Sequence, residues 1–134
     1  MIPKELVQEL IRHAQEAREH AYAPYSKYLV GAALLDADGR IWTGCNVENA
    51  SFGATVCAER VALFKMVSAG VRAVEHIAVV TEDGAPPCGI CLQTLQEFAP
   101  RPEEAVVVMA NNSGAISATK TLRDLAPMGF GRSN

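Results

Sequence analysis

The sequence predicts an α/β fold: a three-layer α-β-α sandwich around one mixed sheet of about five strands, in a single domain over residues 1–134. Three observations predict it. An amphipathic helix opens the chain, two strand-like segments joined by a tight turn follow, and the rest alternates short apolar strands with helices. At 134 residues the chain is one domain by length and long enough to bury a hydrophobic core.

Leu6, Leu10, Ala14, Ala17 and Ala21 recur near helical spacing with Glu, Gln and Arg between them, and Pro24 ends that pattern. Tyr28 to Leu35 reads as a strand, Asp38-Gly39 as a turn, and Arg40 to Val47 as the returning strand of a hairpin. The next helix is expected from about Thr55 to Ser68, stopped by Gly70. Ile77 to Thr81 is a buried strand, Glu82 to Pro87 a loop rich in Gly and Pro, and Cys88 to Phe98 a helix. Ala105 to Ala110 is another buried strand, 111–114 a turn, and Ala115 to Ala118 a short strand. Thr121 to Leu125 forms a last helical turn before a tail at Gly129-Phe130-Gly131.

Hydrophobic residues make up 49% and charged residues 20%, ordinary values for a globular chain. Twelve basic against fifteen acidic residues leave a net charge of −3 with no block of one sign. That balance lacks the basic footprint of a nucleic-acid binder and suits a small neutral or cationic ligand. The N-terminus has no apolar signal region, and Ala105 to Ala110 is too short to span a bilayer. The expectation is a cytoplasmic protein without a membrane partner, whose Cys45, Cys57, Cys88 and Cys91 are thiols or metal ligands rather than disulfides.

Pro87-Cys88-Gly89-Ile90-Cys91 is a Cys-x-x-Cys motif opening a helix, so both sulfurs share one face. Alone, it suits redox chemistry as well as metal. Cys57 shifts the balance, because it too falls near a helix start; two helix N-termini aimed at one site lower thiol pKa and stabilise thiolates. Three thiolates on one Zn²⁺ leave a net charge of −1. Arg60 is the cation placed to donate to a cysteine sulfur and offset it. Three protein ligands leave a fourth position open, the mark of a catalytic zinc. Glu59, two residues after Cys57, would lie on another face in mid-helix, but at an N-terminus both side chains can reach one ligand. Beside three cysteines, it reads as a general base.

Cys57-Ala58-Glu59 with Pro87-Cys88-x-x-Cys91 resembles the zinc-dependent nucleoside deaminases. Tyr22-Ala23-Pro24-Tyr25-Ser26, Val30-Gly31-Ala32-Ala33, Gly44 to Ala50 and Cys57-Ala58-Glu59-Arg60 are similar, in matching order, to the small homotetrameric cytidine deaminases. The resemblance implies hydrolytic deamination of cytidine and 2′-deoxycytidine, with one zinc per subunit, a zinc-activated water and Glu59 as proton shuttle. It also implies that Asn46 and Glu48 bind the ribose 3′-hydroxyl and that Tyr28 is an aromatic wall where Phe is common. By the same resemblance the Ala50 backbone contacts the pyrimidine, and Phe130 reaches a neighbouring subunit's pocket.

A carboxylate at Glu48 would disfavour phosphate, so nucleosides should exceed nucleotides. Two departures stand out: Leu92 replaces the Arg of the family string Pro-Cys-Gly-x-Cys-Arg-Gln, and Phe52 stands where Tyr is frequent. Competing readings are a deaminase of a related cytosine nucleoside such as blasticidin S, and a structural or redox module using the same cysteines. Cys45 reads as a buried strand cysteine, and His13, His20 and His76 lack ligand spacing.

Overall fold

The architecture was obtained as a computed structural model that describes residues 2–130; Gly131 of the expected tail lies outside the described residues. Helix α1 covers Lys4–Arg18 and buries Leu10, Ile11 and Ala14. It stops three residues before Ala21, because Tyr22 is already committed to another partner: its N–H donates to the Asn46 carbonyl at 2.9 Å and its carbonyl accepts from Glu48 at 2.8 Å. The hairpin is built from β1 (Gly31–Asp36) and β2 (Ile41–Cys45), antiparallel with Ala33 opposite Thr43. Strand β1 starts later than the apolar run from Tyr28 predicts, since residues 22–30 wrap toward 46–48 instead of pairing in the sheet.

Helix α2 (Ala58–Ser68) leads to β3 (Val74–Val80), α3 (Gly89–Glu97), β4 (Val106–Ala110), β5 (Ile116–Thr121) and the single turn α4 (Leu122–Leu125). The strand order is β2-β1-β3-β4-β5. Strands β3 and β4 are parallel, with Ile77 opposite Val107, and α3 supplies the crossover that a parallel pair requires. All other pairs are antiparallel. Among the described residues no helix is long and apolar enough to cross a membrane.

Period-two alternation divides the core in two. Ala33, Ala78, Val80, Val108 and Ala110 face α1. Their neighbours Leu34, Ile77, Val79, Val107 and Met109 pack with Ala62, Leu63 and Met66 of α2 and Leu95 of α3. Helix α1 on one face and α2, α3 and the short α4 on the other make the three layers.

Two glycines set how closely the helices approach. A Cβ on Gly31 would sit 1.9 Å from the Ala14 carbonyl oxygen, and one on Gly44 would sit 2.5 Å from the Ala62 nitrogen and 2.6 Å from the Ala58 oxygen. The absent side chain at Gly44 therefore draws the first turn of α2 onto the sheet, which fixes where residues 57–60 stand.

Candidate active site

Val79 and Thr81, at the C-terminal end of β3, line one cavity with Cys57 and Cys88, at the starts of α2 and α3. Cys57 is the N-cap residue of α2 and Cys88 that of α3, both with extended backbone. A helix start carries free N–H groups and the positive end of the dipole, which favours thiolate over thiol. Cys91, one turn into α3, is fully buried, and its N–H donates to Cys88 Sγ at 3.4 Å. The sulfurs of Cys57, Cys88 and Cys91 all lie within 4.8 Å of one another, and Cys57 Sγ is 3.9 Å from Cys88 Sγ. Sulfurs on a tetrahedral zinc sit about 3.8 Å apart, so the three fit one ion with little movement. Among the described residues no fourth His, Cys, Asp or Glu atom joins the group. A position is left for an external ligand.

The cluster carries its own compensation. Arg60 Nη2 donates to Cys57 Sγ at 3.5 Å, and Arg60 Nε is buried without a hydrogen-bond partner among the described residues. The guanidinium thus faces sulfur rather than a carboxylate. The hydrogen bond from the Cys91 thiol, joined by Arg60, draws the Cys57 thiol down to about 5. Cys91, which supplies that proton and is itself buried, is held well above the usual thiol range. A cluster with a ready thiolate at Cys57 and a thiol at Cys91 that releases its proton on coordination suits a cation whose binding expels protons.

Glu59 is the second residue of α2 and only 3% exposed. Burial pushes its carboxyl up to about 7, with the Cys57 thiolate adding to the rise. A carboxyl poised near neutrality both accepts and returns a proton. It lines a cavity of about 270 Å³ with Cys57, Cys88, Tyr28, Asn46 and Glu48. Six residues read from the sequence as metal, acid–base or substrate groups therefore meet in one space, with Cys91 beneath it. Ala50 and Phe130 are exposed and do not line this cavity. Phe130 is instead tied back to α3, its N–H donating to Gln93 Oε1 at 3.0 Å and its carbonyl accepting from Gln93 Nε2.

The polar wall is more heavily committed than its sequence implies. Asn46 Oδ1 accepts from Val30 N–H at 2.9 Å, and Asn46 Nδ2 donates to the Tyr28 carbonyl at 2.8 Å. Glu48 Oε1 accepts from the N–H groups of Tyr25 and Ser26 at 3.0 and 3.1 Å, and its Oε2 accepts from the Ser26 hydroxyl. The Ser26 hydroxyl above all, with those backbone donors, holds Glu48 below the usual carboxylate range. Capacity remains on both. An amide oxygen and nitrogen each have two sites, and a carboxylate about four, so each residue keeps at least one for a ligand hydroxyl.

Ser26, Val30, Thr55, Val79, Thr81, Ala85 and Pro86 complete the lining. None carries a spacing signal that identifies it from sequence. A larger and more open groove of about 810 Å³ lies at the other end of the sheet, around Glu75, His76 and Arg101. Its charges satisfy one another, as Arg101 contacts Glu75 at 3.1 Å and Glu104 at 3.7 Å, and it has none of the sulfur chemistry.

Residues 4–110 match the family model described as the cytidine and deoxycytidylate deaminase zinc-binding region. The chain is 46% identical to a cytidine deaminase of Sporosarcina psychrophila, across 94% of this chain and 92% of that protein. It is 49% identical to one from Halalkalibacterium halodurans, covering 92% of each. Among solved structures, the cytidine deaminase of Burkholderia pseudomallei superposes with a TM-score of 0.85 at 44% identity, covering 96% of this chain and all of that one. The Mycobacterium tuberculosis cytidine deaminase gives 0.79 at 38% identity, covering 92% and 96%.

Proposed function

Since the chain belongs to the cytidine and deoxycytidylate deaminase zinc-binding family, we propose that it hydrolyses cytidine and 2′-deoxycytidine to uridine and 2′-deoxyuridine, releasing ammonia. The observation that carries the proposal is the three-sulfur cluster, open on one side, in one cavity with the buried carboxyl of Glu59.

A zinc ion held by Cys57, Cys88 and Cys91 supplies Lewis acidity, which brings the ionisation of water close to neutral pH. Glu59 takes the proton that water loses as its oxygen bonds to C4 of the cytosine ring. It delivers that proton to ring N3, then takes the remaining proton from the new C4 hydroxyl and passes it to the exocyclic amine as the C4–N4 bond breaks and the C4 carbonyl forms. Burial keeps Glu59 out of bulk water, so the proton it holds passes to substrate rather than solvent. Arg60 offsets the negative charge gathered on the sulfurs. Asn46 and Glu48 use their remaining hydrogen-bonding sites on the ribose 3′-hydroxyl, and the half-buried Tyr28 ring forms the facing wall. The carboxylate of Glu48, held ionised by Ser26 and two backbone N–H groups, repels a phosphate placed beside it. Nucleosides are therefore favoured over nucleotides.

The proposal extends to a single domain over residues 1–134, assembled as a homotetramer with one zinc per subunit. Phe52, Met128 and Phe130 are 80%, 93% and 85% exposed in the single chain, a large apolar exposure that favours burial against copies of itself. In that assembly Phe130 serves a neighbouring subunit's pocket and the Ala50 backbone meets the pyrimidine. A cytoplasmic location and a role in pyrimidine salvage complete this reading.

The test is an ultraviolet assay on cytidine with metal analysis. The expected result is about one zinc per chain, turnover of cytidine and deoxycytidine above CMP, free cytosine and blasticidin S, and a Glu59→Gln variant that keeps its zinc but loses turnover. Full activity in folded, zinc-loaded Glu59→Gln would refute the acid–base assignment. A preference for CMP would overturn the role given to Glu48.

A further inference from the structure

The Tyr28 hydroxyl donates to Asp83 Oδ1 at 2.6 Å, joining residues 55 apart in sequence. Tyr28 belongs to the irregular segment that carries one wall of the cavity, and Asp83 to the loop between β3 and α3 that delivers Ala85, Pro86 and Cys88 to the opposite side. Each end of the contact is braced. On the Tyr28 side, its N–H donates to Ser26 Oγ at 3.0 Å and its carbonyl accepts from Asn46, which ties it to the group that surrounds Glu48. On the other side, Asp83 Oδ1 also accepts from Thr81 Oγ1 at 3.3 Å, and Thr81 Oγ1 accepts from Ala85 N–H at 2.9 Å. Asp83 bridges Asn111 beyond β4, and the Gly84 carbonyl accepts from Ser117 Oγ at 2.6 Å. The loop is thus fixed to the sheet at its outer edge and to the ribose-side wall through one side-chain hydrogen bond.

We propose that the Tyr28–Asp83 hydrogen bond is a latch, with both acting as positioning residues that hold the Cys88 loop and the Asn46–Glu48 wall at the separation a nucleoside needs. The inference rests on the reading of this cavity as the nucleoside site. An aromatic ring alone would provide an apolar wall; the hydroxyl is needed only for the tie. Its acceptor is a carboxylate, so the bond is of the stronger, charge-assisted kind. Burial and Asp83 raise the phenol above its ordinary value, and the bond from Tyr28 holds Asp83 below the usual carboxylate range, so the donor stays protonated and the acceptor ionised throughout the neutral range.

The test is a double-mutant cycle in the zinc-loaded enzyme: Tyr28→Phe, Asp83→Ala and the pair, with Asp83→Asn as the variant that keeps an acceptor. Each single change should raise KM for cytidine about 3- to 10-fold, the loss expected of one hydrogen bond to a charged group, with a smaller effect on kcat. The pair should do no more than either alone, and Asp83→Asn should recover part of the loss. Amide exchange across residues 82–88, measured without substrate, should rise to the same level in Tyr28→Phe, Asp83→Ala and the pair. Losses that multiply in the pair, or exchange unchanged in either single variant, overturn the latch. Failure of the wild type to deaminate cytidine would instead overturn the nucleoside reading, and the exchange cycle would still decide the latch.

Discussion

Arg60 sets its Nη2 3.5 Å from Cys57 Sγ, one helical turn along α2, and makes that sulfur its counter-charge. Removing the guanidinium leaves three thiolates around a divalent cation with a net negative charge uncompensated at the helix start. Arg60→Ala should weaken zinc binding roughly 10- to 100-fold, the range seen when groups behind metal ligands are removed. Arg60→Lys should fall between, because it restores charge without the planar fork. Zinc competition against a chelator of known affinity, alongside circular dichroism to show an intact fold, measures this.

At the other end of the sheet, Asp36 is a buried carboxylate with a structural task. Its side chain accepts from Trp42 Nε1 at 2.8 Å and from the N–H groups of Asp38 and Arg40 at 2.8 and 3.0 Å, with Arg40 Nε 3.3 Å away. Burial alone would raise its pKa; the Trp42 indole, the two backbone donors and the Arg40 charge outweigh that and lower it. The unfolded chain therefore takes up this proton more readily than the folded one. Stability from Asp36 is present above the ordinary carboxylate pKa and is lost as pH falls through the lower, folded value. Asp36→Asn should cost about 1–3 kcal/mol at pH 7, and should flatten the acid limb of the stability curve. Urea denaturation from pH 3 to 7 on both proteins checks it.

The helices, the hairpin and the alternating strands follow from residue periodicity because each is a local pattern seen again in the core: Ala33 and Leu34, or Ile77 and Ala78, take opposite faces as alternation requires. The metal site was legible for the same reason. Cys88 and Cys91 are three residues apart, and Cys57 and Glu59 flank one helix start. What was not legible depends on distant pairing. Nothing near Asp83 marks it as a partner for Tyr28, and nothing near Asn46 shows both ends of its amide tied to the Tyr28–Val30 backbone. Strand ends shifted where side chains near the site captured backbone groups that a longer strand would have used.

Gly44 shows how the sheet sets the metal site from behind. A methyl group there would press on the Ala58 oxygen at 2.6 Å and the Ala62 nitrogen at 2.5 Å, both backbone atoms of α2. The helix must lift, and Cys57, the residue before Ala58, moves with it. Gly44→Ala should cost about 1–3 kcal/mol, as overpacking does, and should loosen zinc by displacing one of three ligands. Thermal unfolding with and without chelator separates the two effects: the chelator-sensitive part of the stability should shrink in the variant.

The metal-free protein offers a separate reading of Glu59. Its carboxyl is pushed from 4.5 up to about 7 by burial, so the folded chain holds this proton more tightly than the unfolded one. Stability is then complete below the unfolded pKa and declines as pH rises through 4.5 to 7, by about 3 kcal/mol for a shift of that size. Glu59→Gln has no charge to bury. Stripped of zinc, it should match the wild type at pH 4 and exceed it at pH 8. The Cys57 thiol, drawn down to about 5, titrates in both proteins, so the difference between them reports Glu59 together with its coupling to that thiolate. Zinc should reverse the order of benefit, since a divalent cation beside Glu59 favours its ionised form and stabilises the wild type more as pH rises. Denaturation curves at pH 4, 6 and 8, with and without zinc, give the full comparison; equal pH dependence in the two metal-free proteins would contradict a buried carboxyl at this position.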